Sequence, residues 1–303
     1  MAVTIGTFER GGTFHRQGLA IATLASRTGT LDAFGDVCVV ETPTASIGNA
    51  EKLNSGEVDF GFVAANLAGR ALRGETPFRQ QVELRTVAPA NVGPVFFVAA
   101  RRSGLRSIDD MRGKRIAVGP PANAMRNNVR AILQALSWSD EDYQPLYLEF
   151  AEGAKALVEG RVDCQVHPPI PNQVVTELAE AIELRVLDYG PSQLDRVLRT
   201  LPLFRRTAMR AGAFRGLDDD TEQVGVFNLI ATHARVAEDK VRAVADLIAS
   251  NAEELGRLTP LFESLPELLA PLRRGGASAL EIDGVRLHTG ALAAYRDAGL
   301  IAS

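Results

Sequence analysis

Residues suited to gripping a small anion recur in this chain at one kind of place: the turn where an apolar run stops and an amphipathic run starts. The first such turn, residues 7–14, reads TFERGGTF. Its paired glycines let backbone come close to a ligand. The helix start that follows offers unpaired N–H groups and a positive dipole end, and Arg10 adds a fixed cation. Thr7, Arg10, Gly12, Thr13 and Phe14 are therefore candidate contacts, against the plainer alternative of a tight turn capped by Thr13. The second turn sets Thr42, Thr44 and Ser46 at another helix start, with Ser46 the expected N-cap. Asn66 follows the third apolar run and Asn91 the fourth. Further on, residues 119–123 read GPPAN and put Pro121 and Asn123 at a helix start, with Arg126 as a second counter-charge. His167 closes another apolar run ahead of Pro168 and Pro169. Amides, hydroxyls and free N–H groups with few carboxylates suit the holding of a small anion or zwitterion.

The same turns are poor in catalytic machinery. The sequence has no GxSxG, GxxxxGK[ST], HExxH or GxGxxG. His15, His167, His233 and His288 are scattered, and only His167 stands at a strand end. Without an orienting partner it is expected to hydrogen-bond or to serve structure rather than act as a base. Glu9 and Glu41, the loop carboxylates, are expected to face solvent or cap a helix. Cys38 and Cys164 lie in strand-like runs without a CxxC spacing and are expected to be buried small hydrophobes. These readings predict no catalysis, no cofactor and no metal.

The elements that must position these turns are legible from periodicity. Short apolar runs at 2–6, 37–42, 58–64 and 84–90 alternate with helical stretches at 14–28, 46–54 and 66–73. The pattern then recurs, with runs at 115–118, 146–150 and 162–167 and helices at 123–136 and 151–159. In the first helix, Leu19, Ile21, Ala22 and Leu24 read as the apolar stripe. Such alternation predicts α/β architecture: two Rossmann-like lobes with mostly parallel sheets, ligands binding beyond the strands' carboxyl ends. AEKLNSGEVDFGFV at 50–63 aligns without gaps to AKALVEGRVDCQV at 154–166, an echo that supports two similar lobes. The runs at 93–102 and 221–232 read as hinge crossings. Lobe one is then 1–92 plus 226–303 and lobe two 93–225, with the tail helical over 236–257, 259–272 and 284–299.

Composition agrees with a globular binding domain. Hydrophobic residues make up 46% and charged residues 23%, and the net charge is −4, which argues against a nucleic-acid partner. Aromatics at 6% argue against a carbohydrate platform. No apolar run reaches the length of a membrane span, so no direct membrane insertion is expected. An extracytoplasmic location is expected if a leader was removed, and a cytoplasmic one otherwise.

Five segments, in order, resemble the TAXI-type solute-binding proteins of TRAP transporters. They are IGTFERGGTFHR at 5–16, SIGN at 46–49 with LNSGEVD at 53–59, DMRGKRIAVGPP at 110–121, RAGAFRG at 210–216, and the close from His288 through Tyr295 to Gly299. The resemblance implies a type II periplasmic-binding, venus-flytrap fold. It also implies capture of an organic anion or acidic amino acid in an inter-lobe cleft and delivery to membrane permease subunits. It adds Asn49, Met125 and Phe214 to the candidate contacts. The chain departs from the family where Gly48 replaces an acid, Ala64-Ala65-Asn66 replaces Q-x-D, and PANAM at 121–125 replaces P-G-S-G-T. A cofactor-free enzyme of lyase or vitamin-precursor type, or a cytoplasmic ligand sensor on the same fold, are the alternatives.

Overall fold

The computed structural model describes residues 2–42, 44–120 and 124–302. Strand β1 (Val3–Gly6), helix α1 (Thr13–Thr28), β2 (Val37–Val40), α2 (Ala45–Ser55), β3 (Phe60–Ala64) and α3 (Ala65–Arg73) lead into the long strand β4 (Leu84–Ala100). Then come β5 (Arg115–Ala117), α4 (Ala124–Ala135), β6 (Gln144–Leu146), α5 (Phe150–Val158) and β7 (Cys164–His167). After β7 follow α6 (Gln173–Ala181), β8 (Leu184–Val186), α7 (Pro191–Thr200), β9 (Phe204–Met209) and a second long strand, β10 (Thr221–His233). The tail holds α8 (Glu238–Ser250), α9 (Ala252–Leu258), α10 (Leu265–Leu269), α11 (Leu272–Gly275) and α12 (Thr289–Asp297).

The chain divides into two units. The first is Met1–Asn91 with Phe227–Ser303, the second Val92–Val226, and β4 and β10 run through both junctions. In the first unit β1 pairs in parallel with β2 and β3, and β10 lies antiparallel on β3 with Asn228 opposite Ala64. In the second, β5 pairs in parallel with β6 and β7, while β4 lies antiparallel on β7 and β8, and β9 antiparallel on β10. The expected α/β class is present. Each sheet has a parallel heart, and a traversing strand makes it mixed.

Local chemistry explains most boundaries. Helices α1, α2 and α3 each end on a left-handed glycine, Gly29, Gly56 and Gly74, whose N–H closes the last turn. In α1 the buried stripe is Gln17, Ala20, Ile21, Leu24 and Ala25. Leu19, expected on it, is 46% exposed. The expected single helix over 236–257 breaks at Asn251. The one over 259–272 is cut into short turns because Pro260, Pro266 and Pro271 donate no N–H. The expected 284–299 helix begins only at Thr289. Asp283 and Gly284, both at positive φ, make a tight turn that bridges Ile282 to Val285. Residues 146–150 are not a strand: β6 ends at Leu146 and Phe150 already opens α5.

Among the described residues, no helix is long and apolar enough to cross a membrane. Cys164 is buried, and burial pushes its thiol pKa up. Cys38 is exposed, contrary to expectation, because β2 pairs only with β1 and its alternate side chains face outward.

Candidate functional site

In the first unit the carboxyl ends of β1, β2 and β3 are joined by side chains that bond to one another. Thr7 is fully buried; its N–H and its hydroxyl both reach the Val40 carbonyl, at 2.8 and 3.1 Å. The Thr42 hydroxyl lies 2.7 Å from the Thr7 carbonyl and 3.0 Å from Asn49 Oδ1, and Asn49 Nδ2 donates to the Phe62 carbonyl at 2.8 Å. Ser46 is not an N-cap: Thr44 occupies that position without a side-chain cap, and Ser46 Oγ accepts the Ala64 N–H at 3.0 Å. Three candidate contacts, Thr7, Ser46 and Asn49, thus brace the loop ends. The departure at Gly48 has a steric counterpart, since a Cβ there would lie 3.1 Å from Thr44 Oγ1.

The α1 start is open. Gly12, not Thr13, is the N-cap, and no side chain caps the first turn. Its N–H groups and dipole end keep their affinity for an anion. Gly11 holds the left-handed φ that the turn needs. Its N–H goes to His15 Nδ1 at 3.2 Å and its carbonyl accepts Arg16 Nε at 2.8 Å. Phe14 stacks on the buried Phe62, ring centroids 5.1 Å apart. Arg10 pairs with Glu41 at 3.1 Å with its side chain 83% exposed. A pair so exposed contributes at most about 1 kcal/mol. Asn66 sits half-buried in the first turn of α3, and Asn91 accepts a bond from Asn228 at 2.9 Å.

In the second unit, Pro121 and Asn123 lie outside the described residues. Met125 is buried in the first turn of α4. The Arg126 guanidinium stacks 5.1 Å from the centroid of Tyr147, an exposed ring just past β6. Phe214 is packed into this unit's core with Val98, Leu178 and Met209. His167 is fully buried, with Phe96 at 5.9 Å and Phe150 at 6.4 Å between ring centroids. Among the described residues neither of its ring nitrogens has a hydrogen-bond partner, so of the two expected roles, hydrogen bonding or structure, the first has no counterpart there. Desolvation pushes its pKa down to about 3, which keeps the imidazole neutral. A buried polar group without a partner costs about 1–3 kcal/mol. Among the described residues, no three His, Cys, Asp or Glu side chains converge as a metal site would require. Tyr147 and Phe150 fall inside the run expected as a strand at 146–150; because β6 ends at Leu146, Tyr147 instead lies just past it and Phe150 opens α5.

Residues 5–299 match the pattern of the NMT1-like family. The chain belongs to that family. Its relation to solved structures is one of fold. A periplasmic sulfonate-binding protein SsuA from Methylobacillus flagellatus KT is 16% identical, with 99% of this chain and 88% of that one covered and a TM-score of 0.55. A Streptococcus mutans structure from work on glutathione import via GshT and the cystine ABC importer TcyBC is 14% identical. It covers 87% of this chain and 94% of its own, with a TM-score of 0.52. XAC2383 from Xanthomonas citri, bound to ATP, is 9% identical over 86% and 88%, with a TM-score of 0.51. The NMT1-like chain has the type II periplasmic-binding-protein fold.

Proposed function

We propose that this NMT1-like chain is an extracytoplasmic receptor that binds a small organic anion and hands it to a membrane transporter. The observation that carries the reading is the uncapped start of α1 at Gly12, at the carboxyl end of a parallel strand, with anchored loops on either side. Such a helix start offers fixed N–H donors to a carboxylate without a catalytic side chain. Sulfonate binding is what the name of the first of these structures states, and glutathione import is what the second concerns. The order of the five sequence segments favours a TAXI-type receptor of a TRAP transporter, and an acidic amino acid or other carboxylate as cargo. Gly12, Thr13 and Phe14 are the first-unit contacts in this reading, and Arg126 with His167 those of the second. Thr7, Ser46 and Asn49 hold the loops.

Thermal-shift screening followed by calorimetry tests the reading. Carboxylates and amino acids are expected to raise the melting temperature and to be recovered unchanged by mass spectrometry. Stabilisation only by neutral sugars or cations, or a product formed at catalytic protein levels, overturns it. Uptake into vesicles separates the transporters: dependence on an ion gradient is expected, and dependence on ATP hydrolysis points to an ABC-type partner.

A further inference from the structure

The closing segment from His288 to Gly299 lies outside the proposed ligand contacts, yet it is tied into the first unit at three places. The His288 N–H reaches the Thr86 carbonyl at 2.9 Å, and Tyr295 Oη donates to the Val87 carbonyl at 2.7 Å. Gly290 packs so closely on the start of α8 that a Cβ there would collide with the Glu238 carbonyl. His288 fixes this start of α12. It is the N-cap, it is buried, and its Nδ1 accepts the Gly290 N–H at 3.1 Å. His233, buried at the end of β10, does the same for the turn that leads to α8: its Nδ1 accepts the Arg235 N–H at 3.2 Å. Each imidazole thus accepts from the backbone two residues on. The two flank the start of β4, since the Ala234 N–H goes to the Glu83 carbonyl and the His288 N–H to that of Thr86.

We propose that His288 and His233 form an acid-sensitive latch: bare at Nδ1, they hold the first turn of α12 and the β10–α8 turn against β4, and a proton on each releases them. An imidazole accepts at Nδ1 only while that nitrogen carries no proton. A proton there sets N–H against N–H in a buried place, which leaves the Gly290 and Arg235 donors unsatisfied. At His288 it also puts a positive charge at the positive end of α12, beside the first turn of α8. The surroundings act in the same sense. Burial holds both imidazoles below their ordinary range, and the Arg85 guanidinium opposes charge on both, as Arg235 does on His233. Glu83 faces His233, and the Val236 and Ala234 carbonyls with Glu238 face His288; these favour the proton but do not outweigh burial. The latch is independent of what the receptor binds.

Hydrogen exchange read by mass spectrometry on the full chain from pH 8 to pH 5, corrected for the intrinsic rate, tests it. Once open, the two imidazoles titrate near the ordinary value of about 6.5, so opening becomes easier as pH falls below that value. Amide protection in α12 is expected to fall at least tenfold between pH 7.5 and pH 5.5, while that in α2 of the same unit changes less than threefold. Asparagine keeps a side-chain acceptor for an N–H two residues on and does not titrate. In His233→Asn with His288→Asn, α12 protection at pH 8 is expected within threefold of the parent and its fall by pH 5.5 under twofold. Each single variant is expected to keep about half the logarithmic fall, which decides the point should the double variant not fold. Protection in α12 that stays level in the parent overturns the latch, and so do variants that lose it as steeply as the parent. Equal loss in α2 and α12 overturns it too, because the unit then opens as a whole.

Discussion

The helix-to-strand corners of the two units, α2 into β3 and α5 into β7, are built on the same plan with one exchange. Both helices run to a left-handed glycine, Gly56 or Gly160, and both strands follow an aspartate. Asp59 accepts the Thr4 N–H at 2.9 Å and Asp163 the Arg115 N–H at 2.8 Å, so each ties its corner to the neighbouring parallel strand. In the ungapped alignment Asn49 falls on Gly153, and Gly61 falls on Gln165. The first unit reaches from helix to strand, Asn49 to the Phe62 carbonyl at 2.8 Å, across Gly61. The second reaches from strand to helix, Gln165 to the Phe150 carbonyl at 2.7 Å, across Gly153. One amide and one glycine face each other in both corners, with the roles reversed. A packed helix–strand contact has room for one such side chain, and either element can supply it.

The two corners also differ at the strand end, where Val63 of the first unit falls on His167 of the second. The largest expected effect comes from breaking this difference. His167 has its pKa depressed to about 3 in the fold against about 6.5 unfolded. The unfolded chain therefore gains the proton first, and stability is lost as pH falls from about 6.5 towards 3, by up to about 1.4 kcal/mol per pH unit. Urea denaturation across that range is expected to show a steeper slope in the parent than in His167→Leu, where His233 and His288, also depressed by burial, still contribute. Near pH 8, where both imidazoles are neutral, the variant is expected to gain about 1 kcal/mol. Parallel pH profiles for the two proteins contradict the assignment.

Replacing each amide by an apolar side chain of equal heavy-atom count sharpens the comparison. Asn49→Leu takes the side-chain donor from the Phe62 carbonyl in a fully buried place, while the Thr42 hydroxyl keeps the Thr7 carbonyl at 2.7 Å, and is expected to cost about 2 kcal/mol. Gln165→Met loses a single bond, and Gln165 Oε1 already lacks a partner, so about 1 kcal/mol is expected. Equal losses in denaturant titrations mean that the corners are energetically alike.

The glycines are next. A Cβ at Gly153 would lie 2.7 Å from Gln165 Nε2 and 3.0 Å from its Cδ, whereas one at Gly61 would meet Asn49 Cβ at 3.1 Å. Gly153→Ala is expected to cost about 2 kcal/mol despite its better helix propensity, and Gly61→Ala less than about 1. Adding Gln165→Ala to Gly153→Ala removes the clash, and the cycle is expected to show a coupling of about 1 kcal/mol.

The smallest effect belongs to the aspartates. The Arg115 guanidinium holds the Asp163 carboxyl below its usual range, so the contribution is present above the unfolded pKa and is lost as pH falls through the folded one. Asp163→Asn is expected to lower stability by less than about 1 kcal/mol at pH 7 and to flatten the profile below about pH 4. A variant as acid-sensitive as its parent speaks against the pair.

Much of this architecture follows from sequence alone. Alternation of apolar and amphipathic runs is a local signal, and so is a glycine at a helix end. These yielded the α/β class, most elements up to β7 and the repeat at 50–63 and 154–166. Periodicity does not mark the elements from α6 to β9, where Pro168, Pro169, Pro171, Pro191 and Pro202 interrupt it. What tertiary structure alone decided is which polar residues remain available. Thr7, Ser46 and Asn49 look like ligand contacts in sequence, but their partners stand 13 to 33 residues away and become neighbours only when β1, β2 and β3 pair. Cys38 turns outward because β2 is the sheet's edge, and Tyr147 faces solvent because β6 stops one residue before it. Periodicity records which face of an element is apolar. Which hydrogen bonds are satisfied depends on neighbours distant in sequence, and only the fold brings those together.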